Sequence, residues 1–300
     1  MNFIYNNICF QKAHSLDDTI IQSNIQNLIH SSKLIKSNIK DLYYSETIWG
    51  YSYPNINSQF GVKDIWNKWS DFCKNKNIVA EIIKIPPFLP YEKFDTSIFD
   101  EIHLVSRTCA LELKNQDFLG EINQKTRYII KKSEKNIFCR RASLSDANDI
   151  YKMYFESMQK LKANKKYYLG LNTFEFLCQN KNSEIYLAYF GDLLIGFVCF
   201  LFDKEISHYH LSATNEIGRK YNANYLLLYK AINKSIKTGK KLVHFGGGVT
   251  NLENDPLFKF KSKFSNSILE YRIGLAIHNK SLFNKFRNKS SSKIIEFIDK

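Results

Sequence analysis

Residues 184–213 constrain the fold most. EIYLAYF, LLIGFVCFLF and EISHYHLSA are three runs rich in β-branched and aromatic residues, joined by the two-residue turns Gly191-Asp192 and Asp203-Lys204. Short apolar runs linked this tightly can only pair with their neighbours, so they read as an antiparallel meander. Residues 185–202 form the most apolar stretch of the chain. The Gly191-Asp192 break leaves each half too short to span a membrane, so this stretch is a hairpin.

The flanks extend the pattern. NIFCRRAS (136–143) alternates and reads as a strand. Ser145 or Asp146 can cap a following helix whose stripe is Ile150, Met153, Tyr154 and Met158, and TFEFLCQN (173–180) reads as a second, short helix. After the meander, Tyr225, Leu228, Tyr229, Ile232 and Ile236 recur at helical spacing, and Gly239 supplies the stop. KLVHF (241–245) is a strand, a short helix follows near 255–264, and SILEYRIGLAI (267–277) is a last strand. This order, β-α-α-β-β-β-α-β-α-β, defines an α+β (mixed α/β) domain.

The first half is read more coarsely. Residues 12–40 look helical and amphipathic, 62–77 form a helix, 78–85 and 108–114 form strands, and 121–136 form a helix joining the halves. These elements suggest a smaller, degenerate copy of the same layered architecture. The expected division is 1–120, 121–278 and a basic tail, 279–300, helical at its end.

A chain of 300 residues that is 44% hydrophobic and 15% aromatic can bury a sizeable core. Its net charge of +14 has two readings. One is a polyanionic partner: nucleic acid, an anionic membrane face or a phosphorylated substrate. The other is the lysine, asparagine and isoleucine bias of an AT-rich genome. The six cysteines are scattered, with no CxxC pair and no metal-type spacing, so no metal is expected and a reducing cytoplasm is the natural compartment. MNFIYNNICFQKAHS has neither the basic n-region nor the apolar h-region of a signal peptide. Triad, P-loop, dinucleotide and zinc signatures are also missing.

Several residues carry candidate chemistry. Arg127 and Lys131 are four apart on one helix face, which suits a phosphate-bearing substrate or simply a basic surface. His208 and His210 alternate on one strand face, with Tyr209 opposite. Either histidine could accept a proton, and both could equally be cleft-wall or core residues. Glu81 is central in the apolar strand IVAEIIKI, where a carboxylate must either pair with a cation or receive a substrate amine. Tyr51 and Tyr53 become sugar-stacking residues if their loop lines a cleft. The triplet Gly246-Gly247-Gly248 follows a strand, where close backbone approach or a bulged turn calls for glycine.

Four segments in order are similar to the Fem-type (FemAB-like) branch of the GNAT acyltransferases. They are ETIWGYSYPNINSQ (46–59), NIVAEIIKIPPFLP (77–90), KTRYIIKKSEKN (125–136) and the run from HYHLSATN through HFGGGVTN to FKSKFS (208–265). The resemblance implies tandem GNAT-like domains, the second complete. It implies transfer of an acyl or aminoacyl group to an amino sugar or related precursor of a surface glycan or cell wall. Lys261 is similar to a lysine that Fem-type enzymes place near phosphate or the reacting carbonyl, and the glycine triplet would let substrate lie on the backbone. GNAT proteins hold a pyrophosphate on a glycine-rich loop opening a helix. The matching place here is Arg219-Lys-Tyr-Asn222-Ala-Asn224, with asparagines for the glycines. Asparagine tolerates the left-handed turn, but its side chain crowds the phosphates. Two donors are therefore open, acyl-CoA or aminoacyl-tRNA. The peptidoglycan branch uses the latter and often carries a long helical arm that this sequence lacks. The implied partners are a phosphate-bearing or lipid-linked sugar, tRNA, and the inner membrane face met peripherally. A non-catalytic scaffold binding RNA or anionic lipid through its lysines is the rival outside the enzymes.

Overall fold

The computed structural model describes residues 5, 7–14, 20–37, 41–114, 117–250, 252 and 254–289. It forms two compact units, one of residues 1–106 with 270–300 and one of residues 107–269. The end of the basic tail, expected to be helical, lies outside the described residues.

The first unit opens with α1 (Ile8–Ala13), β1 (Ile20–Gln22), β2 (Leu28–Ile29), β3 (Ser31–Lys36), β4 (Tyr43–Glu46) and β5 (Asn55–Ile56), followed by α2 (Val62–Asn75) and β6 (Ile78–Lys84). The helix expected over 12–40 is not formed there. Among the described residues from Ile20 onward the chain forms strands instead, β1 antiparallel to β3 and β3 antiparallel to β4. The stretch IIQSNIQNLIHSSKLIK has apolar residues at both periods, and the sheet partners decide between them. β4 pairs parallel with β6. β7 (Glu101–Glu112) begins in this unit and ends in the other. α2 buries Ile65, Trp66, Trp69 and Cys73 against Ile78 and Ile83 of β6.

The second unit holds α3 (Phe118–Glu121), α4 (Gln124–Glu134), β8 (Phe138–Arg141), α5 (Ala147–Lys160), α6 (Leu171–Gln179), β9 (Ser183–Phe190), β10 (Leu193–Phe202), β11 (Ile206–Thr214), α7 (Glu216–Lys220), α8 (Ala223–Lys237), β12 (Leu242–Gly246) and α9 (Pro256–Ser262). Its strand order is β7-β12-β11-β10-β9-β8. β9, β10 and β11 form the expected meander. β12 lies parallel to β11 after the α8 crossover and antiparallel to β7. Apolar residues of α4 and α8, including Ile130, Leu227 and Ile232, pack with Val198, Phe200, Val243 and Phe245 of the sheet. Phe174 of α6 meets Phe197 edge-on at 6.3 Å between ring centroids. The α+β class is as expected, with α7 an added turn of helix ahead of α8.

β13 (Ser267–Ile277) starts in the second unit, and its residues from Glu270 belong to the first. There Ile273–Ile277 pairs antiparallel with β6. α10 (Lys280–Lys289) follows and buries Phe283 against Val79, Ile82 and Leu275. Among the described residues no helix is long and apolar enough to cross a membrane.

Candidate functional site

The centre of the candidate site is the end of β12. Val243 and Phe245 face the α8 core, and the register against β7 slips between His244 and Gly246. Gly246 takes φ +76°, a left-handed conformation that side chains disfavour. The strand therefore ends in a bulge that turns the next residues away from the ladder. Asp255 then fixes the returning loop. Its carboxylate accepts from Val249 N–H at 3.0 Å, from Thr250 N–H at 2.9 Å and Oγ1 at 3.1 Å, and from Phe258 N–H at 2.8 Å as the N-cap of α9. Burial alone would raise its pKa, and these donors more than offset it, so the carboxyl is held below its usual range. A Cβ on Gly248 would sit 2.4 Å from the Asp255 carboxylate, so only glycine fits.

Lys261 comes from α9, whose other core-facing residues are aromatic: Phe258 and Phe260, with Phe264 just beyond. They seat the helix against Tyr225 and Phe245. The lysine is thereby drawn under cover, with 8% of its surface exposed. Its Nζ donates to Gly247 O at 2.6 Å and stands over the Tyr209 ring, 5.5 Å from the centroid. Burial lowers its pKa to about 8, with Cys109 and Asp255 pulling the other way. No hydrogen bond among the described residues uses the N–H of Gly247 or Gly248, both half-buried. An ammonium and two amide N–H groups at one strand end are the kinds of donor that can polarise a carbonyl or hold a developing oxyanion.

The histidines sit apart in role. His208 is fully buried, bonded through Nε2 to Asp203 at 3.0 Å, and opposite His244 across β11 and β12 with ring centroids 5.9 Å apart. Burial, His208 and Lys261 together push His244 well below the usual histidine range. His210 is the extra residue of a β-bulge: Cys199 pairs with Leu211 and Phe200 with Tyr209. At a bulge two residues oppose one, so the alternation expected to put His208 and His210 on one face does not carry through. Tyr209 packs against the core and stacks on Phe200.

The expected donor loop keeps its turn. Asn222 adopts φ 59° and ψ 39° immediately before α8, the left-handed conformation that a glycine would otherwise supply. Asn224 lies half-buried in the first turn of α8. Arg219 is exposed, donating to Thr214 O at 3.0 Å. Gly218 beside it has no room for a side chain, since a Cβ would meet Ile195 O at 2.1 Å. The first turn of a helix entered this way presents amide N–H groups to an anion, so the loop can hold a phosphate group.

Arg127 and Lys131 part company. The Arg127 guanidinium ties down the end of α3, donating to Gly120 O at 3.1 Å and Ile122 O at 3.2 Å, while Lys131 is exposed. Tyr51 and Tyr53 sit in the aromatic packing of the first unit. Tyr51 meets Tyr5, Phe88 and Tyr271 edge-on. Tyr53 donates to Asp95 O at 2.9 Å and packs on Phe94; its phenol is pushed up to about 12, chiefly by burial. Glu81 is fully buried and paired. It accepts from Trp69 Nε1 at 3.0 Å, bonds His30 Nε2 at 2.9 Å and has His278 Nε2 at 3.7 Å. Despite the cost of burial, the two histidines hold its carboxyl far below the usual range.

The sequence pattern did not single out Asp255, Asp203 or His244. For Asp255 there was a signal: an aspartate directly before Pro256 at a helix start is a common cap. Among the described residues no cluster of three or more His, Cys, Asp or Glu could hold a metal ion.

Residues 123–261 match the family model of an acetyltransferase (GNAT) domain. No curated protein matches the sequence. Among solved structures, FemX aligns with a TM-score of 0.67 at 12% identity, covering 95% of this chain and 98% of that one. L-PGS from Bacillus licheniformis aligns with a TM-score of 0.64 at 13% identity, covering 89% and 86%. A candidate lysylphosphatidylglycerol synthetase C-terminal domain from Agrobacterium fabrum gives 0.62 at 10%, covering 91% and 88%. Residues 123–261 thus carry a domain of the acetyltransferase (GNAT) kind, and the chain as a whole has a fold similar to that of FemX.

Proposed function

We propose that the protein transfers an acyl or aminoacyl group to the amine of an amino sugar, or a related precursor of a cell-surface glycan or wall, with the end of β12 as the reaction centre. One observation carries this reading: the buried Lys261 ammonium held on the Gly247 carbonyl beside two glycine N–H groups that no hydrogen bond among the described residues uses.

In the reaction the amine nitrogen attacks the donor's carbonyl carbon, the oxygen takes up negative charge, and the carrier leaves with a proton. The Gly247 and Gly248 N–H groups meet that oxygen, and the Lys261 charge lowers its energy. No covalent intermediate is needed when donor and acceptor are held side by side. The left-handed turn at Asn222 and the start of α8 would take the phosphate of the donor, with Arg219 and Asn224 at its edge. The turn geometry favours acyl-CoA, and the missing glycines favour aminoacyl-tRNA. His208 and His210 would act by shaping this pocket. Arg127, Lys131, Tyr51, Tyr53 and Glu81 are assigned no contact with substrate, because most of them are committed to protein partners.

The test is a calorimetric titration of the purified chain with acetyl-CoA and with CoA, followed by product detection with amino-sugar acceptors. Micromolar binding that weakens in Asn222→Pro, with transfer lost in Lys261→Met, supports the acyl-CoA version. No binding by folded protein, together with transfer from aminoacyl-tRNA, replaces it with the tRNA version. Loss of neither binding nor transfer in Lys261→Met overturns the placement at β12.

A further inference from the structure

Phe190 and Tyr221 are far apart in sequence, yet their rings stack, with centroids 4.4 Å apart and planes 25° from parallel. Phe190 closes β9 at the hairpin, where it pairs with Leu193 of β10. It keeps 36% of its surface in water, and Leu193 keeps 49%. Tyr221 is half-buried and stands directly before the left-handed Asn222. Its backbone is pinned on both sides: the N–H donates to Ile217 O at 3.0 Å, and the carbonyl accepts from Ser133 Oγ at 3.0 Å. The Lys220 ammonium stands 5.6 Å from the centroid of the same ring. A stacked pair held this firmly, with one ring still open to water, is a preformed surface for a third flat ring.

The charges around the pair balance. Arg219 and Lys220 are exposed, and so are Asp192, in the hairpin turn, and Glu216, whose carboxylate lies 3.9 Å from Arg219 Nη2. A bare polyanion gains little from such a surface, because attraction and repulsion offset each other and water screens both. A ligand that joins a flat base to a phosphate gains twice. The base meets the rings, and the phosphate meets the turn one residue further on. Other occupants satisfy only half of this arrangement. A lipid headgroup has the phosphate without the flat ring, and an unphosphorylated sugar has no use for the turn.

We propose that Phe190 and Tyr221 form the stacking platform for the adenine base of the donor, with Lys220 at its edge. An adenosine phosphate is the end that acyl-CoA and aminoacyl-tRNA have in common, so one platform accommodates either carrier. The proposal rests on the reading of the Asn222 turn as the donor's phosphate site. To it the platform adds recognition of a base, which backbone amides at a turn do not supply.

The experiment is calorimetric titration of the full-length chain with AMP, UMP and pyrophosphate. AMP should bind most tightly, because a purine offers a larger stacking face than uracil and pyrophosphate offers none. Phe190→Leu and Tyr221→Leu should each weaken AMP about tenfold and leave pyrophosphate unchanged. Tyr221→Phe, which keeps the ring, should bind AMP as the parent does. Phe190 is at the surface, so its variant should melt with the parent and keeps the test open if Tyr221→Leu unfolds. CoA and the trinucleotide CCA then tell the sources apart, and tighter binding of one names the carrier on the same platform. The proposal is overturned if the folded protein binds AMP, UMP and pyrophosphate alike, if it binds no AMP, or if AMP binding is untouched in both leucine variants. The phosphate site fails separately: adenosine that binds where pyrophosphate does not would keep the platform and remove the Asn222 turn from the donor site.

Discussion

Glu81 and Lys261 are both ionisable groups taken out of water, one in each compact unit. Glu81 is surrounded by compensation: a tryptophan N–H and two histidine rings meet its oxygens, in the middle of a sheet strand under α2. Lys261 has one hydrogen bond among the described residues, to a backbone carbonyl, and an aromatic face. A buried charge with a partner on each oxygen is part of the architecture. One left with spare hydrogen-bonding capacity beside open amides has capacity for a substrate.

Breaking each group tests the contrast. The largest expected effect is on Glu81. Glu81→Ala strands His30, His278 and Trp69 around a cavity and should cost about 3–5 kcal/mol of stability, read from the denaturant midpoint. Retained stability would remove Glu81 from the architecture. Next is Lys261→Met, close in volume, which should leave stability within about 1.5 kcal/mol but cut transfer about 100-fold or more; kcat/KM beside a melting curve separates the two. Gly248→Ala should cost about 1–3 kcal/mol, because the new Cβ meets the Asp255 carboxylate and the loop must open. A melt unchanged from the parent would mean the loop yields freely.

The smallest effect is on pH dependence. The Lys261 pKa is lowered from 10.5 to about 8 in the folded chain, so between those values the unfolded chain binds more protons. Stability contributed through Lys261 therefore rises with pH from about 8 to 10.5, and Lys261→Met should flatten that rise. Transfer should fall as pH passes about 8, where the ammonium loses its charge. A rate that climbs instead would make the amine a base.

The second unit was largely legible because its elements are long and uniform in period. The meander and α8 emerge from local pattern, the first as near-continuous apolar runs joined by two-residue turns and the second as a helical stripe. The first 40 residues were misread for the converse reason. β1, β2 and β3 are short, their apolar residues satisfy two periods, and their neighbours in the sheet make the choice. The bulge at His210 was equally hidden, because one extra residue in a strand leaves no mark on composition.

The candidate site divides along the same line. Gly246–Gly248, Lys261 and the Asn222 turn stand out in one dimension, because glycine runs, a lysine among aromatics and asparagine before a helix are each unusual locally. Whether a charge is satisfied is a property of partners, and partners arrive from elsewhere in the chain. Glu81 could by sequence either pair within the fold or receive an amine, and His30, Trp69 and His278 around it decide for pairing. Arg127 could by sequence meet a phosphate or simply sit on a basic helix surface, and its guanidinium instead lies on the carbonyls of Gly120 and Ile122. Periodicity and turn chemistry act over a few residues and can be read directly. Hydrogen-bond saturation and desolvation depend on what packing brings within about 3 Å, and that is set only once the chain has folded.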